Sequence, residues 1–81
     1  MTKEQIFEVV KANVMNVLPD LLPSQITTST SLVDLGANSV DRVEVSIYSM
    51  EALDLKIPRV QLHGVQNLGE LVDVFHRHLN N

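Results

Sequence analysis

Ser39 is the side chain whose setting points most directly to chemistry. It stands in Asp34-Leu35-Gly36-Ala37-Asn38-Ser39-Val40-Asp41, where loop residues give way to a helical pattern. Such a serine has three readings. It can merely start a helix, as most serines ahead of an apolar-periodic run do. It can be a nucleophile, but no histidine is near it in sequence, since His63, His76 and His78 all lie further along, and no G-x-S-x-G elbow is present. It can also accept a phosphate-linked group. A phosphodiester in the first turn of a helix meets free amide donors and the positive end of the helix dipole. Gly36 lets the backbone turn sharply just before that point. The third reading fits best, and acyl-transfer catalysis by the chain itself is not expected.

The remaining reactive side chains offer less. His76 and His78 are two apart on a helix and point in different directions, with only His63 able to join them. Solvated histidines near a helix end are expected there, not a metal site. The chain has no cysteine, which removes disulfides, thiolate metal sites and cysteine nucleophiles together.

Four helical segments position these residues. Thr2 with Gln5 three residues on makes a helix start. Ile6, Val10, Val14, Val17 and Leu18 then form one apolar stripe, and Pro19 stops it, so a helix is expected from about residue 3 to residue 17. Pro19 to Asn38 is expected to be a long, ordered loop, tied down by Leu21, Leu22, Ile26, Leu32 and Leu35. The second helix starts at Asn38-Ser39, with Asn38 as cap and Asp41 favouring the helix dipole. Its expected buried stripe is Val40, Val43, Ile47 and Met50, extended by Leu53, leaving Asp41, Glu44 and Glu51 as an acidic exposed surface. Pro58 to Gly64 reads as a short helical turn. The last helix has Asn67 as cap, Glu70 at the capping-box position, and Leu68, Leu71, Val72, Phe75 and Leu79 on one side. No strand signal competes. The expected fold is all-α: a small four-helix bundle of three main helices and one short one, forming a single domain over residues 1–81.

Composition narrows the function. The chain has 81 residues, 44% hydrophobic and 20% charged, which suits a small globular core rather than a disordered segment. Ten acidic residues against six basic give a net charge of −4. That balance repels phosphate backbones and anionic lipid, so neither nucleic acid nor a membrane surface is an expected partner. No apolar run is long enough to span a bilayer, and Met1 to Val10 alternate charged and apolar residues, unlike a signal peptide. A cytoplasmic monomer is the expectation.

Asp-Leu-Gly-Ala-Asn-Ser-Val-Asp, followed by Val43-Glu44, resembles the attachment motif of acyl carrier proteins, commonly Asp-Leu-Gly-Ala-Asp-Ser-Leu-Asp. The resemblance covers essentially the whole chain. Thr30-Ser31-Leu32, the Ile57-Pro58 step and Leu68-Gly69-Glu70-Leu71-Val72 all fall at family spacing. It implies that Ser39 carries 4′-phosphopantetheine, installed from coenzyme A by a phosphopantetheinyl transferase. The reactive thiol would then belong to the prosthetic arm, consistent with a chain that has no cysteine. The resemblance also implies a partner surface on the second helix, with Val40 beside the arm, Ile47 as an apolar contact, and Asp41, Glu44 and Glu51 as charges. Core packing is an equally good reading of Val40 and Ile47, and a solvated face is the plain reading of the acids.

Three departures narrow the resemblance. Asn38 stands where the family usually has aspartate, Arg42 where fatty-acid carriers have a neutral residue, and Arg59 to Gly64 contains no carboxylate. Gly-Ala-Asn-Ser-x-Asp-Arg-x-Glu, then Leu-Lys-Ile-Pro and Asn-Leu-Gly-Glu-Leu-Val-Asp, looks like the free-standing donor carriers of hydroxymethylglutaryl (HMG)-synthase-like cassettes in polyketide pathways. That resemblance implies loading with malonyl by an acyltransferase and decarboxylation to acetyl by a decarboxylating ketosynthase. Acetyl is then donated to an HMG-synthase-like enzyme, which adds its carbon to a β-ketone and creates a β-branch. Asn38, Arg42 and Arg59 would help such partners tell this carrier from others. The alternatives are a carrier for ordinary fatty-acid or polyketide elongation, and a helical interaction module without a prosthetic group.

Overall fold

Each of the three α-helices begins where a side-chain oxygen caps it. The structure, a computed structural model, describes residues 1–80. Helix α1 spans Lys3–Val17, α2 Ser39–Ala52 and α3 Leu68–Leu79. No strand occurs among the described residues, and no helix there is long and apolar enough to cross a membrane. At α1 the box is reciprocal: the Gln5 amide donates to Thr2 Oγ1 at 3.1 Å, and the Thr2 amide to Gln5 Oε1 at 2.9 Å. Leu18, held extended-like ahead of Pro19, ends it as the sequence predicts. At α3 the Glu70 amide donates to Asn67 Oδ1 at 2.8 Å. The Glu70 carboxylate differs from the expected box, since it accepts from the Gln66 amide at 3.3 Å, one residue before the cap.

Helix α1 is the central element and packs against both α2 and α3. Ile6, Val10 and Val14 are fully buried, meeting Val45 of α2 and Phe75 of α3 in one apolar cluster. Val74 is buried as well, outside the predicted α3 stripe.

The α2 stripe differs from expectation. Val40 is 61% exposed and Ile47 38%, whereas Val45 and Ser49 are fully buried. Met50 and Leu53 of the expected stripe are buried and Val43 is half-buried, but the core side of α2 is completed by Val45 and Ser49 rather than by Val40 and Ile47. Serine at 49 conceals it, because its hydroxyl breaks the apolar pattern. Nor are the acids a uniformly exposed surface: Glu51 is exposed, but Asp41 and Glu44 are half-buried.

The short helix expected over Pro58 to Gly64 is a 3₁₀ turn at Arg59–Leu62 with no buried side chain. Its amides bond three residues back, Gln61 to the Pro58 carbonyl at 2.9 Å and His63 to that of Val60 at 3.3 Å. So few residues cannot complete an α-helical ladder. A second 3₁₀ turn, Pro23–Gln25, lies unforeseen in the long loop. That loop is anchored by buried Ile26 and by Leu21 and Leu32 against the core. Leu22 is not an anchor: it precedes the turn, donates its amide to Gln25 Oε1 at 2.8 Å, and is 64% exposed. The loop is also clamped to α3. The Leu68 amide donates to the Thr30 carbonyl at 2.9 Å and the Gly69 amide to that of Thr28 at 2.7 Å. This approach requires glycine, since a Cβ on residue 69 would lie 2.9 Å from the Thr28 oxygen.

Candidate functional site

Ser39 is the first residue of α2, and the chain reaches it through a tight sequence of turns. The Gly36 amide donates to the Val33 carbonyl at 3.0 Å, with Gly36 at φ 87°, a left-handed conformation suited to glycine. The Ala37 amide returns to the Leu32 carbonyl at 3.0 Å, and Ala37 is buried. Asn38 then caps: the Asp41 amide donates to Asn38 Oδ1 at 2.8 Å, and the Asn38 amide to Asp41 Oδ2 at 3.3 Å. Asp41 thus does more than face the helix dipole, since its carboxylate fixes the turn that presents Ser39. The amides of Ser39 and Val40 precede the first helical hydrogen bond, so they have no carbonyl within the helix to bond.

From the exposed Ser39 side chain a cavity of about 760 Å³ runs between α2 and α3. Ser39, Arg42, Val43, Ser46 and Met50 form its α2 wall at helical spacing. Leu68 and Leu71 of α3 line it too, together with Arg59 and Leu62 of the 3₁₀ turn, the following His63, and Ser31 to Asp34 of the long loop. The interior is mixed: Met50, Leu68 and Leu71 are apolar, and Ser31, Ser46, Gln66 and Asn67 supply hydrogen-bonding groups. His63, distant from Ser39 in sequence, shares this cavity with it. No hydrogen bond joins the two among the described residues, and nothing activates the hydroxyl as a nucleophile.

The sequence-predicted site residues separate into three groups. Ser39, Arg42 and Arg59 line the cavity. Arg42 donates its Nε to the Asn38 carbonyl at 3.4 Å, which holds the guanidinium beside Ser39. Val40, Glu44, Ile47 and Glu51 lie away from both α1 and the cavity, on the outer side of α2. Asn38 and Asp41 are engaged with each other. Tyr48, 43% exposed on α2, is an outer-side residue that the sequence reading passed over. Its place four residues after Glu44 is the signal for it. No cluster of three histidine or acidic side chains able to hold a metal occurs among the described residues.

The arrangement fits a phosphate-linked arm. An exposed hydroxyl stands on a first helical turn with unpaired amides, beside a guanidinium, at the entrance of a cavity with both polar and apolar walls. The phosphopantetheine arm supplies a thiol that holds acyl groups as thioesters.

Comparison with known proteins agrees with this geometry. The sequence pattern of the phosphopantetheine attachment site matches residues 8–75. The chain is 47% identical over 76 residues to the polyketide biosynthesis acyl-carrier-protein AcpK of Bacillus subtilis (strain 168), covering 94% of this chain and 93% of that one. It is 28% identical over 74 residues to an acyl carrier protein of Amoebophilus asiaticus (strain 5a2), covering 86% and 92%. Among solved structures, it superposes with a TM-score of 0.85 and 41% identity on a chain of the curacin biosynthetic pathway HMG synthase in complex with acetyl donor-ACP, covering 93% of this chain and 96% of that one. With the attachment pattern spanning most of its length, on a fold that presents an exposed serine beside a sheltering cavity, the chain belongs to the acyl carrier proteins, which are carriers rather than catalysts and hold their cargo on 4′-phosphopantetheine.

Proposed function

We propose that the arm is attached at Ser39 and that the whole chain acts as one discrete donor carrier in polyketide biosynthesis, passing acetyl to an HMG-synthase-like enzyme for β-branching. The observation that carries this reading is the similarity to the chain solved with the curacin HMG synthase, at 41% identity over nearly its full length. The cargo is malonyl on loading and acetyl on donation. An acyltransferase and a decarboxylating ketosynthase then act before the synthase, and a phosphopantetheinyl transferase before all of them. The chain's own part is to present and shelter. Asn38 and Asp41 fix the first turn of α2, the free amides of that turn face the phosphate, and the cavity excludes water from a resting thioester. Val40, Ile47, Glu44 and Glu51 form the outer α2 surface offered to the enzymes, and Asn38, Asp41, Arg42 and Arg59 border it.

Two measurements test the proposal. Incubation with coenzyme A, Mg²⁺ and a phosphopantetheinyl transferase is expected to add one phosphopantetheine by intact mass, and Ser39→Ala is expected to add none. The acetyl-loaded chain is then offered to an HMG-synthase-like enzyme and to an elongating ketosynthase. Transfer to the first alone supports the donor role; transfer to the second alone assigns the chain to ordinary elongation.

A further inference from the structure

We infer that the cavity beside Ser39 selects an acyl group ending in a carboxylate, with Arg42 and Arg59 as the specificity-determining pair. This rests on Ser39 carrying the arm. The chain is acidic, at −4, yet the cavity is not. Two of its six lysine and arginine residues line this one space, together with His63, against the single carboxylate of Asp34. Neither guanidinium is spent on an ion pair: the salt bridge present among the described residues is Lys3–Asp73, neither of which lines the cavity. Arg42 is oriented by its Nε bond to the Asn38 carbonyl, which leaves its two terminal nitrogens for another acceptor. Arg59 lines the same space from the 3₁₀ turn.

Two unpaired guanidiniums on an apolar-floored cavity suit a short dicarboxylic half-thioester such as malonyl. The acyl carbons pack on Val43, Met50 and Leu62, and the free carboxylate accepts charge-assisted hydrogen bonds in the planar geometry that guanidinium offers. A neutral acetyl group has no oxyanion for them. The loaded chain would therefore shelter malonyl more fully than acetyl, and removal of the carboxylate would release the cargo toward solvent and the next enzyme. The phosphodiester of the arm is an oxyanion too, but it is common to both loaded forms, so a difference between them reports the acyl carboxylate alone.

The test compares thioester cleavage by hydroxylamine, an uncharged nucleophile at neutral pH, in malonyl- and acetyl-loaded protein at low salt. Native chain is set against Arg42→Gln/Arg59→Gln, both positions being exposed. In the variant, malonyl cleavage is expected to rise about two- to fivefold, the range that exposed ion pairs reach, while acetyl cleavage stays unchanged. Added salt is expected to raise malonyl cleavage in the native chain only. Equal acceleration of both acyl groups, or of neither, overturns the inference, the former marking the arginines as ligands of the arm phosphate. Intact mass is read first: a chain that takes no arm overturns the Ser39 assignment and this inference with it, whereas a loaded chain that does not discriminate overturns this inference alone.

Discussion

Ser49 shows how one hydroxyl redirects a helix. It is fully buried between α2 and α1, and its Oγ has no hydrogen-bond partner. A buried polar atom without a partner loses its hydration and gains nothing, a penalty of about 1–3 kcal/mol. Ser49→Ala removes the hydroxyl, leaves the β-carbon, and adds helix propensity. The expected result is a gain of about 1 kcal/mol, read as a higher urea midpoint with an unchanged slope. A lower midpoint would mean that the hydroxyl finds a partner in solution. Ser39, ten residues earlier on the same helix, is the opposite case: its hydroxyl stands exposed on a capped first turn, where burial cannot restrain its use.

At the scale of the element, α2 is a helix with three sides and three tasks. Val45 and Ser49 hold it to α1, while Ser39, Arg42, Val43, Ser46 and Met50 wall the cavity. Val40, Glu44, Ile47 and Glu51 face outward. The division predicts a separation of effects. Val45→Ala deletes two methyl groups from a fully buried site and is expected to cost about 2 kcal/mol in chemical denaturation. Ile47→Ala, on a partly exposed site, is expected to cost less than about 1 kcal/mol while weakening association with the proposed HMG-synthase-like partner by surface plasmon resonance. If Ile47→Ala were as destabilising as Val45→Ala, the outer side would be core after all. Helix α3 buries more of its length, with Leu68, Leu71, Val72, Val74 and Phe75 all in the core. The 3₁₀ turn at Arg59–Leu62 is tied to the core through the partly buried Leu62 and buries no side chain fully, which leaves Arg59 and the following His63 at the cavity.

At the scale of the whole molecule, charge and shape act together. A net charge of −4 over a chain with a radius of gyration of 11.5 Å gives a field that a basic partner surface would meet before contact. The expected consequence is an association rate with the proposed HMG-synthase-like partner that falls steeply between about 0.01 and 0.15 M salt, as the Debye length drops from about 30 to about 8 Å. The dissociation rate should change little if the proposed apolar contact at Ile47 governs it. A rate of association indifferent to salt, measured by stopped flow, would remove the acidic surface from the encounter. Within that field the cavity stands out as the place where two of the six lysine and arginine residues gather.

The amino-acid sequence by itself determined what depends on neighbours a few residues apart. The bounds of α1, the caps Thr2, Asn38 and Asn67, the break before Pro19 and the exposed start of α2 at Ser39 all follow from local hydrogen bonding and backbone preference. Tertiary structure decided that Val45 and Ser49 join Met50 and Leu53 in the core of α2 while Val40 and Ile47 stay outside it, because periodicity gives a helix sides without fixing how far round the buried side extends. It likewise decided that Leu22 turns outward while Leu21 and Ile26 turn in, that residue 69 must be glycine, and that Arg59 and His63 come to the same cavity as Ser39. Those outcomes depend on chain segments that are distant in sequence and adjacent only once α1 has gathered α2 and α3 around it.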